Sequence, residues 1–217
     1  RDSASTHNAV GVGCGDCHEV HGEFYLADEA GDQLLPGPSA AITDKRSPYY
    51  SCQTCHADTM AMLELPYRHP LREGKMNCGS CHDPHGAGEA MLNTPWRSVE
   101  TCYTCHQNIE GPHVFEHPPV QEDCAICHNP HGSVAPAMLT VNQPTLCLQC
   151  HDYHFHAGYR ASDDHEVDVG GTEFENPWGP TGFNRAFATN CTQCHSQVHG
   201  SDLPSQSLPG LSQGLTQ

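Results

Sequence analysis

The chain has 217 residues, a formal net charge of −17, a hydrophobic fraction of 36% and a mean hydropathy of −0.55, with 20 Gly and 17 Pro. An acidic balance of this size argues against nucleic acid and against an anionic lipid surface. So few apolar residues cannot assemble a polypeptide core of ordinary size, and no stretch approaches the roughly 18 consecutive apolar residues of a transmembrane segment.

In chain order, residues 1–12 lack periodicity and carry one feature, His7, which reads either as a metal ligand or as a solvated tail histidine. Then comes Cys14-Gly-Asp-Cys17-His18, trailed by His21-Gly22. Residues 23–50 form an insertion broken by Pro36, Pro38 and Pro48, which either packs over the site before it or meets a partner. Cys52-Gln-Thr-Cys55-His56 follows, and the residues up to 65 predict a short helix that Pro66 ends.

The pattern then repeats. His69 leads Cys78-Gly-Ser-Cys81-His82, with His85-Gly86 behind it, and a barer Cys102-Tyr-Thr-Cys105-His106 comes next. His117 leads Cys124-Ala-Ile-Cys127-His128, with His131-Gly132 behind it, before Cys147-Leu-Gln-Cys150-His151. Between the two motifs of each of these doublets stands a Met-Leu pair, Met91-Leu92 and Met138-Leu139. Beyond residue 151 the pattern changes. His154, His156 and His165 appear before a last motif, Cys191-Thr-Gln-Cys194-His195, which His199-Gly200 trails.

Each C-x-x-C-H is the signature of covalent c-type haem attachment: two thiols add to the haem vinyl groups and the adjoining histidine becomes the proximal iron ligand. Seven motifs consume all 14 cysteines. A zinc ribbon or a redox-active thiol pair places no demand on the residue after its cysteines, so a histidine after every motif speaks for seven haems. The proximal ligands are then His18, His56, His82, His106, His128, His151 and His195.

Of 18 histidines, seven proximal ones leave 11. Eight of these stand at repeat or near-motif positions and are the candidate distal ligands: His7, His21, His69, His85, His117, His131, His156 and His199. His154 is in reserve, and His113 and His165 fit least well. The flanking histidines cannot easily reach back over the haem of their own motif, so they are expected to serve other haems. The Met-Leu pairs are expected to lie on porphyrin faces rather than to ligate iron. With both axial positions filled by histidine, function by outer-sphere electron transfer follows, and an enzyme such as a nitrite or hydroxylamine reductase, which needs a vacant position, fits poorly.

The expected fold is mostly irregular chain with short α-helices and little or no β-sheet, wrapped around closely packed haems as one multihaem domain over residues 1–217. Its internal units are doublets 7–56, 69–106 and 117–151, a single haem unit 152–200 and a tail 201–217 that reads as disordered. Haem attachment of this kind follows export, so the opening residues are expected to be those of a mature chain that has lost a leader. The expected compartment is extracellular, outer-membrane or periplasmic.

The segments HPPVQEDCAICHNPHGS, LCLQCH and CTQCHSQVHGSDLPSQS resemble the doubled C-x-x-C-H cytochromes. From about residue 69 onward they are similar to the decahaem cytochromes held in an outer-membrane porin, which carry electrons across that membrane in metal-reducing and dimethyl-sulfoxide-respiring bacteria. The resemblance implies distal roles for His69, His85, His117 and His131, and a β-barrel partner. Seven haems where that family has ten is a departure. It leaves open a porin-held conduit, a head-to-tail filament of identical copies and a soluble periplasmic shuttle, each exchanging electrons with other redox proteins.

Overall fold

The computed structural model describes residues 5–18, 48–94, 96–151, 166–169, 172–175, 179–181, 188, 190–193 and 195–202. Most of the insertion after Gly22, together with His21, His154, His156, His165, Cys194 and the tail beyond residue 202, lies outside them.

Two compact units are built from the chain: Arg1–Cys105 with Pro130–Gly132, and His106–Asn129 with Ser133–Gln217. In the first, α1 (Thr6–Ala9) is capped by the Ser5 hydroxyl, which accepts from the Asn8 N–H at 3.1 Å. It is followed by α2 (Cys14–Cys17), α3 (Pro48–Gln53), α4 (Ala57–Met62) and α5 (Ser98–Tyr103). The short helix expected after the Cys52 motif is α4, which starts once His56, at φ −104 and ψ 47, has left the helical region and which ends at Met62, ahead of Pro66. Met60, Leu63, Val99 and Tyr103 are buried and make the small apolar centre of this unit.

The second unit contains α6 (Pro118–Glu122), whose leading proline occupies a position where no N–H is needed. Its strands are short. β1 (Phe115–Glu116) pairs antiparallel with β4 (Gly200–Ser201), and β2 (Glu166–Val169) pairs with β3 (Thr172–Glu175). These two-stranded ribbons, with short helices and much irregular chain, give the multihaem-cytochrome architecture expected from the composition. None of the helices among the described residues is long and apolar enough to cross a membrane.

Candidate haem centres

The motifs make the same local structure. Cys14–Cys17 is a turn of α-helix, and Cys78–Ser80, Cys124–Ile126, Cys147–Gln149 and Cys191–Gln193 are single 3₁₀ turns. The proximal histidine then donates its N–H to the carbonyl of the first cysteine: His18 to Cys14 at 2.8 Å, His56 to Cys52 at 2.9 Å, His82 to Cys78 at 2.9 Å. The same bond joins His128 to Cys124 at 2.9 Å, His151 to Cys147 at 3.0 Å and His195 to Cys191 at 2.8 Å. A helical turn places side chains three and four apart on one side, so the backbone presents two thiols and an imidazole together. Asp123 reinforces its turn by accepting from the Ala125 N–H at 2.9 Å.

Among the described residues, five imidazoles that close a motif face a second histidine. In the first unit His56 faces His7 with ring centroids 6.1 Å apart, His18 faces His85 at 5.9 Å and His82 faces His131 at 5.9 Å. In the second, His151 faces His117 at 5.9 Å and His128 faces His199 at 6.1 Å. All but the tilted His7–His56 pair have ring planes within 30° of parallel, at 21° to 29°. An iron between two imidazoles needs roughly 2 Å to each nitrogen, as in other metal–imidazole bonds, and about 1 Å more to each ring centre, so about 6 Å between centroids. The separations fit haem iron. In every case the second histidine is a predicted flanking one, and it belongs to a different motif from the ring that it faces.

Three leading histidines are fixed in one manner. His7 Nδ1 donates to the Pro84 carbonyl at 3.1 Å, His69 Nδ1 to that of Pro130 at 2.8 Å and His117 Nδ1 to that of Val198 at 2.9 Å. Each acceptor immediately precedes a trailing histidine: His85, His131 or His199. A carbonyl can only accept, so Nδ1 carries the proton and Nε2 is the unprotonated nitrogen, the form that a metal requires. His7 is therefore a held ring and not a loose tail residue.

Two proximal rings are held in the same way. His82 Nδ1 donates to the Ala90 carbonyl at 2.7 Å and His128 Nδ1 to that of Ala137 at 2.8 Å. Ala90 and Met91 sit at φ +58 and +46, and Ala137 and Met138 at +55 and +57. This left-handed region costs an L-residue roughly 1–2 kcal/mol. Sequence reasoning noticed the Met-Leu echo and assigned it to side-chain packing. What recurs is a backbone turn that aims a carbonyl at an imidazole, and only the repetition of Ala-Met-Leu signalled it.

Burial holds the His131 and His199 imidazoles below the usual histidine range, with the neighbouring histidines adding to the effect. Both are thus kept in the neutral form that ligates iron. Thiols of different motifs also meet. Cys52 and Cys78 share a hydrogen bond, which draws the Cys78 thiol down to about 6 and pushes that of Cys52 well above the ordinary range. Burial pushes the Cys147 thiol up to about 11, assisted by Cys191 beside it. None of the described cysteines is in a disulfide.

His113, which the sequence placed among the least fitting ligands, has its ring against Gly200 and Nδ1 3.6 Å from the Asp202 carboxylate. His21, His154, His156 and Cys194 lie outside the described residues, so the facing rings and held imidazoles involve the other predicted positions.

The doubled CXXCH motif family matches residues 69–111 and 117–155. The chain is 38% identical over 209 residues to a protein of Shewanella baltica (strain OS185) named multiheme cytochrome MtrA. Over these residues the chain is similar to the doubled C-x-x-C-H multihaem cytochromes. The match covers 95% of this chain and 55% of that relative, so the chain spans about half of the relative's length. The doubled motifs indicate covalent haem c as its cofactor.

Proposed function

We propose that this cytochrome carries seven haems c and passes electrons along them, as an electron carrier and not an enzyme. The observation that supports this most is the facing of five proximal imidazoles by five flanking ones at 5.9–6.1 Å. When bound, the haems supply one-electron exchange by outer-sphere transfer. The polypeptide's part is to fill the axial positions and so deny them to oxygen, nitrite or peroxide. His7, His85, His117, His131 and His199 serve as distal ligands to the motifs of His56, His18, His151, His82 and His128, and His69, held like His7 and His117, is a distal ligand as well.

The thiol contacts support short steps between successive sites. Cys52 of one doublet meets Cys78 of the next, and Cys147 meets Cys191. The second approach is reinforced by Gln143, whose Oε1 accepts from the Thr192 N–H at 3.1 Å and hydroxyl at 3.2 Å. Haems attached at such neighbouring thioethers are brought edge to edge.

The protein is exported and works with other redox proteins, and its resemblance to the decahaem cytochromes held in an outer-membrane porin favours a place in such a conduit, with a β-barrel as partner. The test is reconstitution. The native protein, purified with whatever it binds, is expected to bring down a β-barrel and, in liposomes, to pass electrons from an internal reductant to an external acceptor. A monodisperse protein without a barrel that exchanges electrons only in solution would make it a periplasmic shuttle, and long unbranched fibres would make it a filament.

A further inference from the structure

We propose that the left-handed Ala-Met turns are positioning devices that set the reduction potentials of two particular haems, those of His82 and His128, by holding each proximal imidazole on a backbone carbonyl. The proposal rests on haem ligation by these two histidines.

The turns share the bonds that tie them to their motifs. Met91 accepts at its carbonyl from the Asp83 N–H at 2.8 Å, and Met138 from the Asn129 N–H at 2.7 Å. Asn93 donates to the Cys81 carbonyl at 2.9 Å, and Thr140 to that of Cys127 at 2.8 Å. These bonds fold each turn back on its own motif, so that His82 is bridged to Leu92 and His128 to Leu139. The Ala90 and Ala137 carbonyls then meet Nδ1 at 2.7 and 2.8 Å.

Loop length does not account for this agreement. Ala90 is eight residues past its histidine and Ala137 nine, with Gly88-Glu89 before one and Ala135-Pro136 before the other. Two loops of different length and composition reach the same uncommon backbone conformation and aim a carbonyl at the same ring atom. Strain that recurs in this way marks a geometric requirement. A peptide carbonyl that accepts from Nδ1–H fixes the tautomer and the ring plane and makes Nε2 more basic. A more basic axial ligand favours the ferric state, so each turn holds its haem at a lower potential than an untethered imidazole would.

Substitution separates conformation from side chain. Proline requires φ near −65°, so Ala90→Pro in the native holoprotein withdraws the carbonyl, whereas Ala90→Gly keeps the turn and relieves its strain. In Ala90→Pro, one haem in the potentiometric titration is expected to become about tenfold easier to reduce, equivalent to about 59 mV for one electron. Its low-spin ferric resonance should also move as the ring plane rotates. Ala90→Gly should leave both readings unchanged, and Ala137→Pro should repeat the effect on a different haem.

Should the proline variants not mature, Ala90→Val and Ala137→Val, which also disfavour positive φ, are expected to give the same shifts at reduced size. Unchanged potentials and resonances in Pro or Val variants that retain all their haems would overturn the proposal. Peptide mapping distinguishes the two possible failures. Haem missing from Cys78 and Cys81 in the unsubstituted protein would defeat the ligation reading itself, while haem present there but indifferent to Ala90 would defeat only the tuning role.

Discussion

His131 faces His82 across 5.9 Å with their planes 22° from parallel, although one trails the first motif of the third doublet and the other closes the first motif of the second. In the proposed ligation a flanking histidine serves a haem that it does not adjoin. Replacing His131 with Ala is expected to open the haem at His82 and leave the haem at Cys124 and Cys127 six-coordinate. About one haem equivalent of carbon monoxide should bind the reduced variant, with a matching high-spin ferric signal. His117→Ala should do the same at His151. Opening of the haem at Cys124 and Cys127 in either variant would refute the crossed arrangement.

The number of haems follows from the cysteines. Intact mass with a haemochrome assay is expected to give seven covalent haems for the 14 cysteines, and changing both Cys124 and Cys127 to Ala should remove one. Fewer than six in protein matured by a competent attachment system, or bound zinc, would contradict this count.

Two glycines after trailing histidines hold their place by close approach. A Cβ on Gly132, at φ +146, would lie 2.1 Å from the Met62 carbonyl oxygen, and one on Gly200, at φ +137, would lie 2.3 Å from the His113 ring. Gly132→Ala and Gly200→Ala are expected to cost about 2–3 kcal/mol each or to displace the adjoining His131 or His199. Gly74, at φ +68 with open space around it, should cost about 1 kcal/mol on the same change. Chemical denaturation compares the three, and the absorption spectrum reports ligand loss in the first two.

Acid should loosen the His131 and His199 sites before it titrates carboxylates. Burial depresses both imidazoles below their ordinary 6.5, so between that value and their folded values the unfolded chain binds more protons than the native one. Stability from these groups is then complete above about pH 6.5 and declines as the pH falls below it. Ligation, which also requires the neutral ring, pushes in the same direction. Denaturant midpoints measured at pH 7.5 and pH 5.5 are expected to fall with acid, by less in His131→Ala than in the unsubstituted protein. Equal falls in both would show that other groups govern the acid response.

What the amino-acid order determined by itself is local. Cys-x-x-Cys-His closes a turn through a bond between residues four apart, so the motif, its two thiols and the proximal histidine are legible without knowing anything distant. The short helices, the scarcity of sheet and the tally of histidines near the motifs come from composition and spacing in the same way. That a flanking histidine would meet the ring of another motif was legible too, because a few residues cannot carry the chain around a porphyrin.

Only the tertiary structure decided which histidine meets which. His128 faces His199 and His18 faces His85 because the chain between them folds back, and no periodicity encodes that path. The carbonyls of Pro84, Pro130 and Val198 were invisible for a further reason: every residue has a carbonyl, and its direction depends on backbone angles rather than on residue type. The Ala-Met turns show the same limit most sharply. Alanine and methionine announce a packing surface or a helix, yet neighbouring hydrogen bonds held Ala90 and Ala137 at positive φ, where the backbone and not the side chain reaches the ligand.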